Sequence, residues 1–153
     1  MTPAERAVSV QADGVRSPVA VARLAELSRK VLGALRVSRA MLSITLVDTK
    51  TMARLNRAHL GHRGATDVIT FALQSAADGP MVADIYICPD VARRQARAHG
   101  VGVREEMARL VVHGTLHACG WDHPVDEQRT TSPMWRRQEQ LVARFWTSST
   151  TSE

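Results

Sequence analysis

The stretch HGTLHACGWDH, His113 to His123, holds three of the six histidines of a 153-residue chain within eleven positions. Residues four apart on an α-helix share a face about one turn from each other, so His113 and His117 aim at a common point. Gly120 then stops the helix and lets the chain turn back, which predicts that His123 arrives at the same point. Upstream, Met107, Leu110, Val111 and Leu116 recur at helical spacing, and Glu105 and Glu106 fall where a first turn favours acids, so the helix starts near Val103. A helix of this kind belongs in a core, and the rest of the chain has to supply what it packs against.

On the C-terminal side, SPMWRRQEQLVARFW reads as a last helix, and the polar tail TSSTTSE at 147–153 is expected to be disordered. On the N-terminal side, VARRQARAHG reads as a helix ending at Gly100, where glycine takes a left-handed cap at little cost. TDVITFAL and MVADIYIC are strand-like, and the turn-rich connection QSAADGP between them predicts a hairpin. Earlier still, AVSVQAD alternates like a half-buried strand. VAVARLAELSRKVLGAL sets Val19, Leu24, Leu27, Val31, Leu32 and Leu35 at helical spacing with Pro18 in the first turn. AMLSITLVD reads as a second strand, and TKTMARLNRAHL as a short helix entered near Asp48 or Thr49. The order strand, helix, strand, helix, hairpin, three helices predicts an α+β fold. It is a small mixed sheet of about four strands covered by about five helices, in one domain over residues 1–146.

Apolar residues at 44% and charged residues at 23% are ordinary for a globular chain, and no apolar run reaches the roughly 18 residues of a membrane span. The N-terminus MTPAERAVSV lacks the basic-then-apolar pattern of a secretory signal, so a cytoplasmic protein with no membrane partner is expected. Cys88 and Cys119 lie far apart without a CxxC pairing and are expected as free thiols. The net charge of +5 is carried by 18 Arg and 2 Lys against 15 acids. Arginine's planar fork suits phosphate and hence an RNA or DNA partner, while a genome rich in Arg codons gives the same composition. With 6 aromatic residues and no basic-aromatic stripe, base stacking is not an evident mode of binding.

Three neutral imidazoles at H-x3-H-x5-H spacing suit a tetrahedral Zn²⁺ with one position open, the arrangement of a catalytic site. The same spacing, with glycine in register, occurs in the zinc-binding stretch of metzincin proteases, H-E-x-x-H-x-x-G-x-x-H. Here Gly114 stands where those enzymes carry the glutamate that moves the proton, which argues against peptide hydrolysis. Asp122, beside His123, is a candidate to orient a ligand imidazole. Cys119, two residues after His117, faces elsewhere on the helix and reads as a small buried apolar residue.

With these blocks in view the chain resembles the YbeY family of bacterial endoribonucleases, also described as rRNA maturation factors. HGTLHACGWDH matches the family's H-G-x-x-H-x-x-G-x-D-H, including the glycine. LNRAHLGHRGATDVITF matches L-N followed by T-D-V-[LI]-[ST]-F, ADIYICPDVARRQARAHG matches D-I-x-I-[CS]-x-x-x-A-x-x-Q-A, and MWRRQEQLV matches the closing M-x-x-x-Q-E-x-L. The likeness runs from about Met41 to Ala143. It implies a zinc-dependent single-strand RNA hydrolase acting in rRNA maturation, particularly at the 3′ end of small-subunit rRNA, and in ribosome quality control, with the small subunit as a partner.

Carried over by position, His113, His117 and His123 are the ligands of one Zn²⁺, with His113 and His117 at the catalytic centre. Asp67 and Asp84 match acidic family positions near the site. One departure stands out: many members have an aromatic residue and a phosphate-handling Arg where this chain has His59 and Leu60. Arg57 or Arg63 is expected to supply the missing charge, and His59 and His62 are candidates for a proton or a phosphate contact. The rival reading is a ribosome assembly factor that binds rRNA or a small-subunit protein and whose zinc stabilises the fold; Leu60 and Gly114 give it weight, since neither supplies chemistry.

Overall fold

A computed structural model describes residues 4–60, 64, 66–122 and 132–146. The chain runs β1 (Glu5–Ala12), α1 (Val21–Ala34), β2 (Arg39–Leu46), α2 (Thr49–Leu60), β3 (Val68–Gln74), a short 3₁₀ turn (Ala76–Asp78), β4 (Met81–Ile87), α3 (Pro89–His99), α4 (Val103–Ala118) and α5 (Pro133–Phe145). The strands lie in the order β1-β2-β4-β3, parallel between β1 and β2 and between β2 and β4, with β3 antiparallel along the edge beside β4. The mixed α+β sheet, the β3/β4 hairpin and the five helices are as the sequence predicts. The expected tail at 147–153 lies outside the described residues.

Helix α1 differs at its start. It begins at Val21, so Pro18 lies in a bend before the helix and not in the first turn. The Ser17 hydroxyl bonds the backbone of Val19 on both sides, a local turn that competes with helix and holds residues 17–19 outside it.

Strand alternation decides where the core forms. Ala40, Leu42, Ile44 and Leu46 of β2 stand in register with Met81, Ala83, Ile85 and Ile87 of β4, and all eight are buried on one face. Helices α1, α4 and α5 contribute to the cluster on that face. Helix α4 lies against α1, α3, α5, β3 and β4 at once, and 11 of its 16 residues are buried, including Val112, Gly114 and Thr115. The Ser28 and Thr115 hydroxyls meet at 2.9 Å and tie α1 to it. On the other face a smaller cluster joins Met52 of α2 to Val47, Ile69, Cys88 and Val91, with Phe71 and Tyr86 packed against it. A bulge between Ala72 and Gln74 bends the edge strand β3, which discourages pairing with another chain.

Helix α2 is held at its start by Asp48, whose carboxylate accepts the Thr51 amide at 2.7 Å. That hydrogen bond keeps the Asp48 carboxyl below the ordinary carboxylate value. An acid depressed in the fold contributes stability above its unfolded pKa and loses that contribution as pH falls through the folded one. Asp48→Asn is therefore expected to keep the cap at neutral pH and to flatten the acid limb of Tm against pH. An acid limb identical to that of the parent would show that Asp48 carries no such linkage.

Candidate metal centre

The end of α4 is built by a reversal at Gly120. Its φ of +96° is in the left-handed region that glycine adopts most readily, and it lets Trp121 N donate to Leu116 O at 3.0 Å while Gly120 N donates to His117 O. The reversal also carries the Trp121 carbonyl to 2.9 Å from Nδ1 of His117. One turn earlier, His113 is 9% exposed, and its Nδ1 lies 2.6 Å from Oε1 of Gln138 on α5. The two rings are 4.7 Å apart, centroid to centroid, with planes at 80°. With a carbonyl acceptor at each Nδ1, both imidazoles are held as the tautomer whose lone pair is on Nε2, the form that binds a metal. These two Nε2 lone pairs are of the donor type that a zinc ion takes. Among the described residues no group of three His, Cys, Asp or Glu side chains gathers to hold one. His123, the expected third ligand, lies outside the described residues.

Gly114 has a packing reason to be glycine. A Cβ there would sit 2.9 Å from Cγ2 and 3.1 Å from Cδ1 of Ile85, with Oγ1 of Thr70 at 3.4 Å. The position faces the sheet, and the close approach of α4 to β3 and β4 fills the place where a protease glutamate would start.

Behind His113 the polar contacts continue. Gln138 is 1% exposed, and its Nε2 donates to Oε2 of Glu139 at 3.0 Å. Glu139 in turn receives Nε of Arg109 at 2.8 Å and Nη2 at 3.1 Å, while Glu106 and Glu105 take further donors of the same guanidinium at 3.2 and 3.0 Å. Burial works against the Arg109 charge, but the hydrogen bonds to Glu139 and Glu105 outweigh it and hold the group above its ordinary range. Beside these residues a cavity of about 530 Å³ opens between α3, α4 and α5, lined by Gln95, His99, Trp135 and His113.

The other predicted residues scatter. Asp67 lines the same cavity as His113, and its carboxylate accepts from Val68 N at 2.8 Å and Thr66 Oγ1 at 3.4 Å. Asp84 pairs with Phe71 across the β3/β4 ladder and alternates with Ile85, so it faces away from α4. His59 meets Phe71 edge-on at 5.1 Å on that far face. Arg57 is exposed in the last turn of α2 and is not among the described residues lining the cavity. Leu60 ends α2; His62 and Arg63 lie outside the described residues. Asp122 is exposed, and the acceptor at Nδ1 of His117 is the carbonyl of its neighbour Trp121. Both cysteines are free thiols, and burial pushes Cys119 up to about 11.

Sequence reasoning did not give Gln138, Glu139 and Arg109 a place at the centre. A signal was present: Gln138 falls between Met134 and Leu141 at helical spacing, so an amide sits on an otherwise apolar, buried face and needs a partner.

Comparison with known proteins gives a consistent picture. The sequence model of the family described as Endoribonuclease YbeY matches residues 11–146. An Endoribonuclease YbeY of Frankia casuarinae is 39% identical over 150 residues, covering 90% of this chain and 73% of its own. One from Frankia alni is 38% identical over 155 residues, covering 93% of this chain and 84% of its own. A solution structure of a Thermotoga maritima protein superposes with a TM-score of 0.64 at 23% identity, over 95% of this chain and 93% of that one, a likeness of fold.

Proposed function

The chain belongs to the Endoribonuclease YbeY family, and on that premise we propose that it is a zinc-dependent endoribonuclease. In this reading it cuts single-stranded RNA in the maturation of ribosomal RNA, at the 3′ end of the small-subunit RNA, and acts in ribosome quality control in the cytoplasm. The observation that carries the reading is the pair His113 and His117, one turn apart at the end of the buried helix, each with a carbonyl at Nδ1. His113, His117 and His123 would hold the metal. When bound, zinc supplies Lewis-acid polarisation of a phosphodiester and a lowered pKa for water.

The chain's own residues supply the rest. Gln138 and the Trp121 carbonyl hold the two rings in their ligand orientation. Asp67, braced by Val68 N, sets a fixed negative charge on the cavity wall. Arg57 supplies the positive charge for the RNA backbone that Leu60 lacks, within a chain of net charge +5.

The test is cleavage of an end-labelled single-stranded RNA by protein as purified, after stripping by a chelator, and after zinc is returned. Cutting is expected to vanish on stripping and to return with zinc. Products ending in a 2′,3′-cyclic phosphate would assign the attack to the RNA's own 2′-hydroxyl. Cutting that survives stripping would overturn the zinc reading, and no cutting in any arm would favour the assembly factor.

A further inference from the structure

The contacts from Arg109 to His113 form a chain in which every orientation is forced by the one before. A guanidinium only donates, so Glu139 spends its oxygens as acceptors, at 2.8 and 3.1 Å. A carboxylate in that position also accepts from Gln138, so the amide must turn its NH₂ group toward Glu139, at 3.0 Å. The Gln138 carbonyl is then left facing His113, at 2.6 Å. An oxygen with no hydrogen requires the proton on Nδ1 of His113, and the lone pair of the neutral ring falls on Nε2.

We propose that Arg109, Glu139 and Gln138 are positioning residues that lock the tautomer of His113, so that the ring is a ligand before any metal arrives. The inference rests on the zinc reading above for its purpose and on hydrogen-bond polarity for its operation. The lock is built from three side chains that need not touch the metal. Arg109 is shielded, at 16% side-chain exposure, and Gln138 is buried, so neither is a freely rotating surface group. The arrangement also explains why α5 carries two polar residues side by side against α4: one orients the other.

The direction of the chain gives a test that a merely structural role would not pass. In Glu139→Leu the oxygen that holds the Gln138 NH₂ group, the same Oε2 that takes Nε of Arg109, is removed, while Arg109 keeps Glu105 and Glu106. Nothing then fixes the Gln138 amide, which can present NH₂ to His113 and admit the proton on Nε2, where it blocks a metal. In Gln138→Leu the acceptor is simply gone. Two quantities would be measured: zinc affinity by competition with a chromophoric chelator, and the ¹⁵N tautomer signature of His113 in metal-free protein at about pH 8, where an imidazole is neutral.

Both variants are expected to bind zinc about 10- to 100-fold more weakly, with Glu139→Leu shifting the ring population toward the Nε2-protonated form. Glu139→Leu protein that binds zinc as the parent does, with an unmoved tautomer, would overturn the lock. A parent that binds no zinc would instead overturn the zinc reading, and the ¹⁵N spectra of parent and variant would still decide the lock.

Discussion

His117→Ala is expected to lower RNA cleavage by about three orders of magnitude or more and to leave a protein that does not retain zinc, since two ligands would remain for an ion that needs three. The choice of histidine matters. His113 is buried against Gln138, and its loss strands a carbonyl inside the protein, at roughly 1–3 kcal/mol. His117 is half-buried at the helix end and meets a backbone carbonyl already close to solvent, so alanine there removes the ligand with little effect on the fold. Zinc per chain, cleavage of labelled RNA and Tm would be measured on parent and variant purified alike. A variant with parental cleavage would remove the histidine pair from the chemistry altogether.

Gly114→Ala is expected to destabilise the protein although alanine is the better helix former. Replacing glycine by alanine in a helix gains about 1 kcal/mol. Against this stands a methyl 2.9 Å from Cγ2 of Ile85, a side chain with no exposed surface to retreat into, and overpacking of this kind costs about 1–3 kcal/mol. The steric term wins, and Tm should fall by several degrees. In a double-mutant cycle with Ile85→Ala, the two changes should couple favourably by about 1 kcal/mol or more, because the second opens the space the first needs. Additive changes would mean that Ile85 is not what the methyl meets. The wider consequence is that a glutamate grafted at position 114 would break the packing of α4 on the sheet before it could act as a base.

Much of this was legible in the residues. The spacing of Met107, Leu110, Val111 and Leu116 placed a core helix under the histidines, Gly100 takes the left-handed cap expected of it, and Gly120 turns the chain back as expected. The hairpin of β3 and β4 followed from two strand-like runs around QSAADGP. Local pattern could not say which face of β4 receives α4. That choice sends Asp84 away from the site and brings Thr70 and Ile85 under Gly114. Nor could it show that Gln138, 25 residues beyond His113, would end against it, because the contact depends on how α5 folds back across α4. Spacing finds partners one turn apart; partners across two helices need the packing.

The burial of most of α4 also governs how the ligand pair comes apart. Backbone amides in such a helix exchange with solvent through opening of the whole molecule, whereas those of edge strands and helix ends exchange through small local openings. Fraying therefore reaches His117, in the last turn, before it reaches His113, which stays in place until the buried part of the helix opens with the native state.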